Sequence, residues 1–146
     1  MDDKPVLRYE AVEAGQRLGP IQYRVDPELV RGQLRAVGQP VPVFLTDPAI
    51  DTLLIEPSLY ARNYIRLLRA DFMVEGVIHS RSELALKRPA RAGQLLTVTG
   101  RVAEKYLRRG RPYVVIESET FDESGGEVSR ERNTLLLTLS DDHGGC

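Results

Sequence analysis

Of the two histidines in this chain, His143 lies in the C-terminal tail and His79 lies inside the body. Near neutral pH, histidine is the side chain best suited to pass a proton. Glu83 follows on the same extended run, two same-face positions on and too far to pair with His79 unless the strand bends. Asp47 and Asp51, in a proline-rich stretch, and Glu56, just before a helix start, are carboxylates that could activate a water molecule. Asp47-Pro48 and Glu56-Pro57 are equally ordinary turn and helix-start chemistry. Tyr60, Asn63 and Tyr64 recur at helical spacing and could hydrogen-bond a carbonyl, although packing is the commoner use of such a pattern. Lys87, Arg88 and Arg91 form one cationic cluster, and Lys105, Arg108, Arg109 and Arg111 form another. Either could hold phosphate oxygens, and either could simply keep a hairpin turn solvated. With one body histidine and a single cysteine, Cys146, at the end, the composition argues against a zinc site. No metal or cofactor is expected, and no glycine-rich phosphate loop is present.

The elements that must position these residues are organised around residues 76–139, which read as four consecutive antiparallel strands. In residues 76–88 the alternation places Ile78, Leu84 and Leu86 on one face and His79, Arg81, Glu83 and Lys87 on the other, the period of a half-buried strand. Pro89 to Gly93 is expected to turn the chain. In residues 95–106, Leu96, Val98 and Val102 share a face, with Gly100 as a candidate bulge. Arg108-Arg109-Gly110-Arg111 is a polar turn, and residues 113–121 put Val114, Ile116 and Thr120 opposite Tyr113, Val115 and Phe121. Ser124-Gly125-Gly126 closes the next hairpin. The run 134–139 lacks alternation and suggests burial on both faces.

Upstream, residues 1–10 read as a loose arm and residues 21–25 as a short strand. Asp26-Pro27-Glu28 is a helix start, because the carboxylate can accept backbone N–H groups where proline's missing donor is harmless. Leu29, Val30, Leu34 and Val37 follow at helical spacing, and Gly38 ends the run. Residues 39–57 are broken by four prolines. Ser58 is placed to cap a second helix through Ala70, with Ala61, Tyr64, Ile65, Leu68 and Phe72 on one face and Arg62, Arg66 and Arg69 on the other. Residues 140–146 read as a disordered tail, leaving 11–139 as one domain. A sheet covered on one face by helix is an α+β domain.

Composition is that of one domain able to bury a core: 146 residues, 42% hydrophobic. A net charge of −1 with 28% charged residues argues against a nucleic-acid partner. The polar, acidic start and the lack of a long apolar run imply no signal peptide and no membrane span, and a lone cysteine fits the cytoplasm.

Several pieces, in order, carry a family resemblance. Val12-Glu13-Ala14-Gly15-Gln16 comes first and Val25-Asp26-Pro27-Glu28 caps the first helix. Residues 36–44 follow, then Ile78-His79-Ser80-Arg81-Ser82-Glu83, and then the proline turn and strand of residues 88–102. Together they resemble the MaoC-like dehydratase family, in its N-terminal, fatty-acid-synthase-type branch. The resemblance implies a hotdog fold, in which a curved antiparallel sheet wraps a central helix. It also implies an acyl-CoA or acyl-carrier-protein thioester as ligand, whose phosphates either arginine cluster could meet at a tunnel mouth. Hotdog units pair, so a homodimer or a heterodimer is expected, with the apolar runs 113–121 and 134–139 as pairing strands.

Active members carry Gly-Asp-x-Asn-Pro-x-His, whose aspartate and histidine add or remove water across an enoyl thioester. Here Gly38 and Pro42 match, but Gln39 stands at the aspartate position, Val41 at the asparagine and Phe44 at the histidine. Neither glutamine nor phenylalanine exchanges a proton near neutral pH. The resemblance therefore implies a non-catalytic or partner-dependent subunit that shapes the acyl tunnel while a dyad-bearing hotdog subunit supplies the chemistry. Two other readings remain open: a thioesterase or hydratase using Asp47, Glu56 or His79, and an acyl-CoA binding module without chemistry.

Overall fold

A computed structural model describes residues 3–36, 38, 46, 47, 52, 53, 55 and 57–137. Five strands form one antiparallel sheet in the order β1-β5-β6-β7-β4: β1 (Arg17–Arg24), β4 (Ile78–Leu86), β5 (Leu95–Arg108), β6 (Arg111–Phe121) and β7 (Glu127–Leu136). Two short strands, β2 (Thr46–Asp47) and β3 (Thr52–Leu53), pair separately. Helix α1 (Pro27–Ala36) follows β1, and a 3-10 turn over Pro57–Arg62 leads into α2 (Asn63–Asp71), which lies on the sheet's inner face. This is the hotdog fold, a curved sheet wrapped around a helix, as the resemblance implied.

The four-strand meander needs one correction. Strands β5, β6 and β7 follow one another by hairpins, but β4 pairs with β7 rather than with β5, and β1 takes the place beside β5. Residues 87–94 therefore cross the sheet by three strand spacings, roughly 14 Å, instead of making a tight turn. The Arg108–Arg111 turn has positive φ at both Arg109 and Gly110, the two-residue geometry whose twist matches its strands.

Bulges set the faces. Between His79 and Arg81 the β4–β7 register shifts by one residue, so His79 pairs with Leu135 and faces the helix, while Arg81 and Glu83 face outward. The expected sharing of a face by His79 and Glu83 is overturned, and Ile78 parts from Leu84 and Leu86 for the same reason. In β5 the bulge falls at Ala103, not at Gly100. Gly100 serves close approach instead: a Cβ there would lie 2.7 Å from both the Leu67 side chain and the Glu117 carbonyl, and one at Gly19 would lie 2.8 Å from Leu67. Leu67 of α2 sits in the notch these two glycines leave.

Around Leu67 the core joins Tyr64 and Leu68 of α2, and Phe72 just after it, to Leu18, Val98, Val102, Val114, Ile116 and Leu135 of the sheet. Full burial of one such leucine contributes about 2 kcal/mol. A second cluster gathers Val25, Val30, Ile55, Tyr60, Ala90, Leu96 and Val128 at the α1 end. Asp26 caps α1 through its carboxylate on the Glu28 N–H at 2.9 Å, as its sequence indicates, and Gly38 closes the helix with positive φ.

Within the segment expected to be a loose arm, Leu7 is buried, and residues 5–7 exchange backbone hydrogen bonds with Met73. The C-terminal run is buried on one face rather than two, at Leu135 and Leu137, with Thr134 and Leu136 partly exposed. Residues 138–146 lie outside the described residues. No helix among the described residues is long and apolar enough to cross a membrane.

Candidate functional site

Register decides which side chains meet on the inner face. Successive rows run Gly100–Ser118–Glu131–Leu84, then Val98–Thr120–Ser129–Leu86 on one side and Val102–Ile116–Asn133–Ser82 on the other. Strand β7, second from the edge, thus presents serine, glutamate and asparagine to the interior, opposite Thr120, Ser118 and Ile116 of its neighbour β6, while β5 beyond them presents Val98, Gly100 and Val102. Ser129 and Asn133 are fully buried, Ser118 nearly so, and Glu131 is 3% exposed.

This stripe is short of partners. Neither carboxyl oxygen of Glu131, nor the hydroxyls of Ser118 and Ser129, nor the side-chain nitrogen of Asn133 makes a regular hydrogen bond. Burial pushes the Glu131 carboxyl up to about 8, with the neighbouring Asn133 amide pulling the other way. At neutral pH it is therefore mostly protonated, able both to donate and to accept. Unpaired buried polar groups each cost about 1–3 kcal/mol, so such a stripe is retained against a real penalty.

His79 touches the far end of the stripe. Its Nε2 lies 3.1 Å from the Arg81 carbonyl and 2.9 Å from Oδ1 of Asn133. A carbonyl only accepts, so Nε2 carries the proton. The imidazole also tilts against Tyr64, with ring centroids 5.1 Å apart. Burial raises the Tyr64 hydroxyl pKa, and the charge of Glu131 raises it further. Acid, amide and imidazole thus run Glu131, Asn133, His79 along one face.

Asn63 is fully buried and holds the base of α2 to the sheet. Its Nδ2 donates to Thr120 Oγ1 and its Oδ1 accepts from the Tyr23 hydroxyl, both at 2.7 Å. Tyr60 belongs to the second core cluster, where its hydroxyl accepts from the Ala90 N–H at 3.2 Å and burial pushes its pKa up to about 12. Arg66, on the arginine face of the helix, lies 4.1 Å over the ring of Tyr23.

The structure does not bring the cationic candidates to this place. Lys87 and Arg88 follow the end of β4 opposite His79, roughly 25 Å along the strand. The Arg88 guanidinium bonds Asp122 at 3.2 Å and lies against Gly126. The Arg91 N–H donates to Gln94 Oε1. Asp47 ends β2, while Gln39, Phe44, Asp51 and Glu56 lie outside the described residues. No group of three or more His, Cys, Asp or Glu among the described residues is placed to hold a metal ion.

A groove of about 860 Å³ crosses the other side of the sheet. Its lining comes in triplets from β4 to β7, and in each the two flanking residues point away from the helix, as Arg101, Glu117 and Arg132 do. Those side chains pair with one another, Glu117 with both arginines. The groove is a solvated ion-pair layer, in which each exposed pair contributes little.

Strand β4 is exposed at all nine positions, among them Ile78, Leu84 and Leu86. It is an edge strand with an unpaired ladder. The pairing strands expected from sequence, β6 and β7, are interior to the sheet, whose two edge strands are β1 and β4.

No family model matches the chain. A UPF0336 protein of Streptomyces avermitilis is 30% identical over 133 residues, spanning 82% of this chain and 88% of that one. Among solved structures, the (R)-hydratase of A. caviae involved in PHA biosynthesis superposes with a TM-score of 0.71 at 20% identity, over 88% of this chain and 99% of that one. The HadBC (3R-hydroxyacyl-ACP dehydratase) complex of Mycobacterium tuberculosis gives 0.69 at 20%, over 84% and 96%. A MaoC-like dehydratase of Rhodospirillum rubrum gives 0.68 at 19%, over 91% and 98%. The chain has the MaoC-like hotdog fold and belongs to the UPF0336 family.

Proposed function

We propose that the chain is a MaoC-like acyl-thioester dehydratase or hydratase subunit that lacks its own Asp/His dyad and works with a dyad-bearing hotdog partner. The observation that carries this reading is the β4 edge, open over nine residues and apolar at Leu84 and Leu86 beside the inner face. A second hotdog unit laid along β4 would pair the free ladder and cover those leucines. It would thereby enclose an acyl-binding channel that neither unit has alone.

Gln39 and Phe44 at the dyad positions support a silent subunit, since neither exchanges protons. The fold shared with a dehydratase described as a complex, HadBC, supports a paired assembly. In this reading Lys87 and Arg91 meet the phosphates of coenzyme A or a carrier-protein arm, with Arg88 tied to Asp122. Tyr64 lines the acyl channel, while Tyr60 and Asn63 hold the helix that forms its wall. The second reading, a site of this chain's own, has His79 in its favour, on the inner face and bonded to Asn133.

The test is hydration of crotonyl-CoA by the purified chain, alone and mixed with a dyad-bearing hotdog subunit. No turnover alone, with turnover or a changed chain-length preference in the mixture, is expected. Turnover by the chain alone would contradict the proposal and transfer the chemistry to His79, Asp47 or Glu56.

A further inference from the structure

Five polar atoms with no regular partner crowd the inner face of β6 and β7: Ser118 Oγ, Ser129 Oγ, both Glu131 carboxyl oxygens and Asn133 Nδ2. Their residues are 0–3% exposed. Chance omission of one partner is ordinary, but four adjacent side chains on neighbouring register positions are a built surface. Ser129, Glu131 and Asn133 alternate along one strand, so the stripe spans roughly 13 Å. Leu84 and Leu86 pair with Glu131 and Ser129 across the β4–β7 ladder, roughly 5 Å away. A polar stripe thus runs beside an apolar, open one.

We propose that Ser118 and Glu131, opposite each other across the β6–β7 ladder and flanked by Ser129 and Asn133, form a subsite that hydrogen-bonds a neutral oxygen, hydroxyl or carbonyl, on an acyl chain lying along Leu84 and Leu86. The proposal rests on the acyl-thioester reading and adds to it the place where an oxidised chain carbon is recognised. An anion would lose its hydration with no basic side chain among the four to compensate. A cation would find only one acidic side chain and an amide nitrogen. A neutral hydroxyl matches the Ser118 hydroxyl, which can donate or accept as required, beside the Glu131 carboxyl. Buried water is the other natural occupant of such a stripe, and the experiment separates the two.

The probes are (R)-3-hydroxyoctanoyl-CoA and octanoyl-CoA, which differ by one hydroxyl. They are titrated into protein carrying carboxyl-13C glutamate, both alone and paired with a dyad-inactivated hotdog subunit. The Glu131 resonance is identified by its absence in Glu131→Gln. The hydroxyacyl ligand is expected to move that resonance and to bind about 10-fold more tightly than the plain chain, the worth of about one hydrogen bond. Ser118→Ala combined with Ser129→Ala, checked for folding by urea titration, is expected to erase the difference and leave octanoyl-CoA affinity in place. Equal binding of both ligands with Glu131 unmoved would overturn the subsite, leaving water in the stripe and the acyl-thioester reading intact. Failure of both ligands to bind, alone and in the pair, would overturn the subsite together with that reading.

Discussion

Replacing Glu131 with glutamine keeps the shape of the side chain and removes its titration, so the difference between variant and wild type isolates one buried carboxyl. Its pKa rises from an ordinary 4.5 to about 8 on folding, chiefly through burial. Below 4.5 both the folded and the unfolded chain hold the proton, and the group adds no pH dependence. As pH climbs toward 8 the unfolded chain ionises while the folded chain does not. The folded state then binds more protons and loses stability with rising pH. Above about 8 both states are ionised and the loss levels off. At about 1.4 kcal/mol per pH unit, the full loss is roughly 5 kcal/mol, of which about 4 falls between pH 5 and pH 9. Glu131→Gln is therefore expected to lie within about 1 kcal/mol of wild type at pH 5 and to exceed it by several kcal/mol at pH 9. Urea denaturation at half-unit pH steps measures this directly. A wild-type-minus-variant difference that stays flat from pH 5 to pH 9 would refute a carboxyl buried on the inner face with only the Asn133 amide beside it.

Three further outcomes follow from the packing. Gly100→Ala places a methyl against the Glu117 carbonyl and Leu67 and is expected to cost about 2–3 kcal/mol in urea titration. Adding Leu67→Ala would relieve only the side-chain half of the clash. Asn63→Leu leaves the Thr120 and Tyr23 hydroxyls without their partner and is expected to lower stability by about 2–4 kcal/mol with an unchanged denaturant slope. Ile78→Lys with Leu86→Lys adds charge to the edge strand at two positions more than half exposed. It is expected to change monomer stability by less than about 1 kcal/mol yet shift sedimentation toward the monomer.

Strands β5 and β6 are legible from sequence because their apolar alternation and their Gly-containing turns agree, and β7 because it follows the Ser124–Gly126 turn and ends in an apolar run. The α1 cap is legible because Asp26, Pro27 and Gly38 each carry a local conformational rule. The place of β4 is not, since alternation marks a strand without naming its neighbour, and Pro89 to Gly93 has the composition of a turn while acting as a crossing. Alternation alone puts His79 on the face of Glu83, and the one-residue shift between His79 and Arg81 that turns it inward is announced by no local pattern. The polar stripe is hidden for a related reason. In Ser129-Arg130-Glu131-Arg132-Asn133 both alternating sets are polar, so the sequence offers no inner face. Only pairing with Ile116, Ser118 and Thr120 shows that glutamate and asparagine point inward while the arginines point to solvent. The signal available was a polar strand between turn and apolar run in a domain otherwise rich in alternating strands.

Whether this chain contributes chemistry of its own is decided by crotonyl-CoA turnover in the pair with the partner's aspartate and histidine replaced by asparagine and glutamine. If the dyad-bearing subunit supplies the acid and base, turnover falls to the uncatalysed background although the pair still assembles and binds the thioester. Turnover that survives in the assembled pair, and that is then lost on changing His79 or Glu131 in this chain, would contradict a silent subunit.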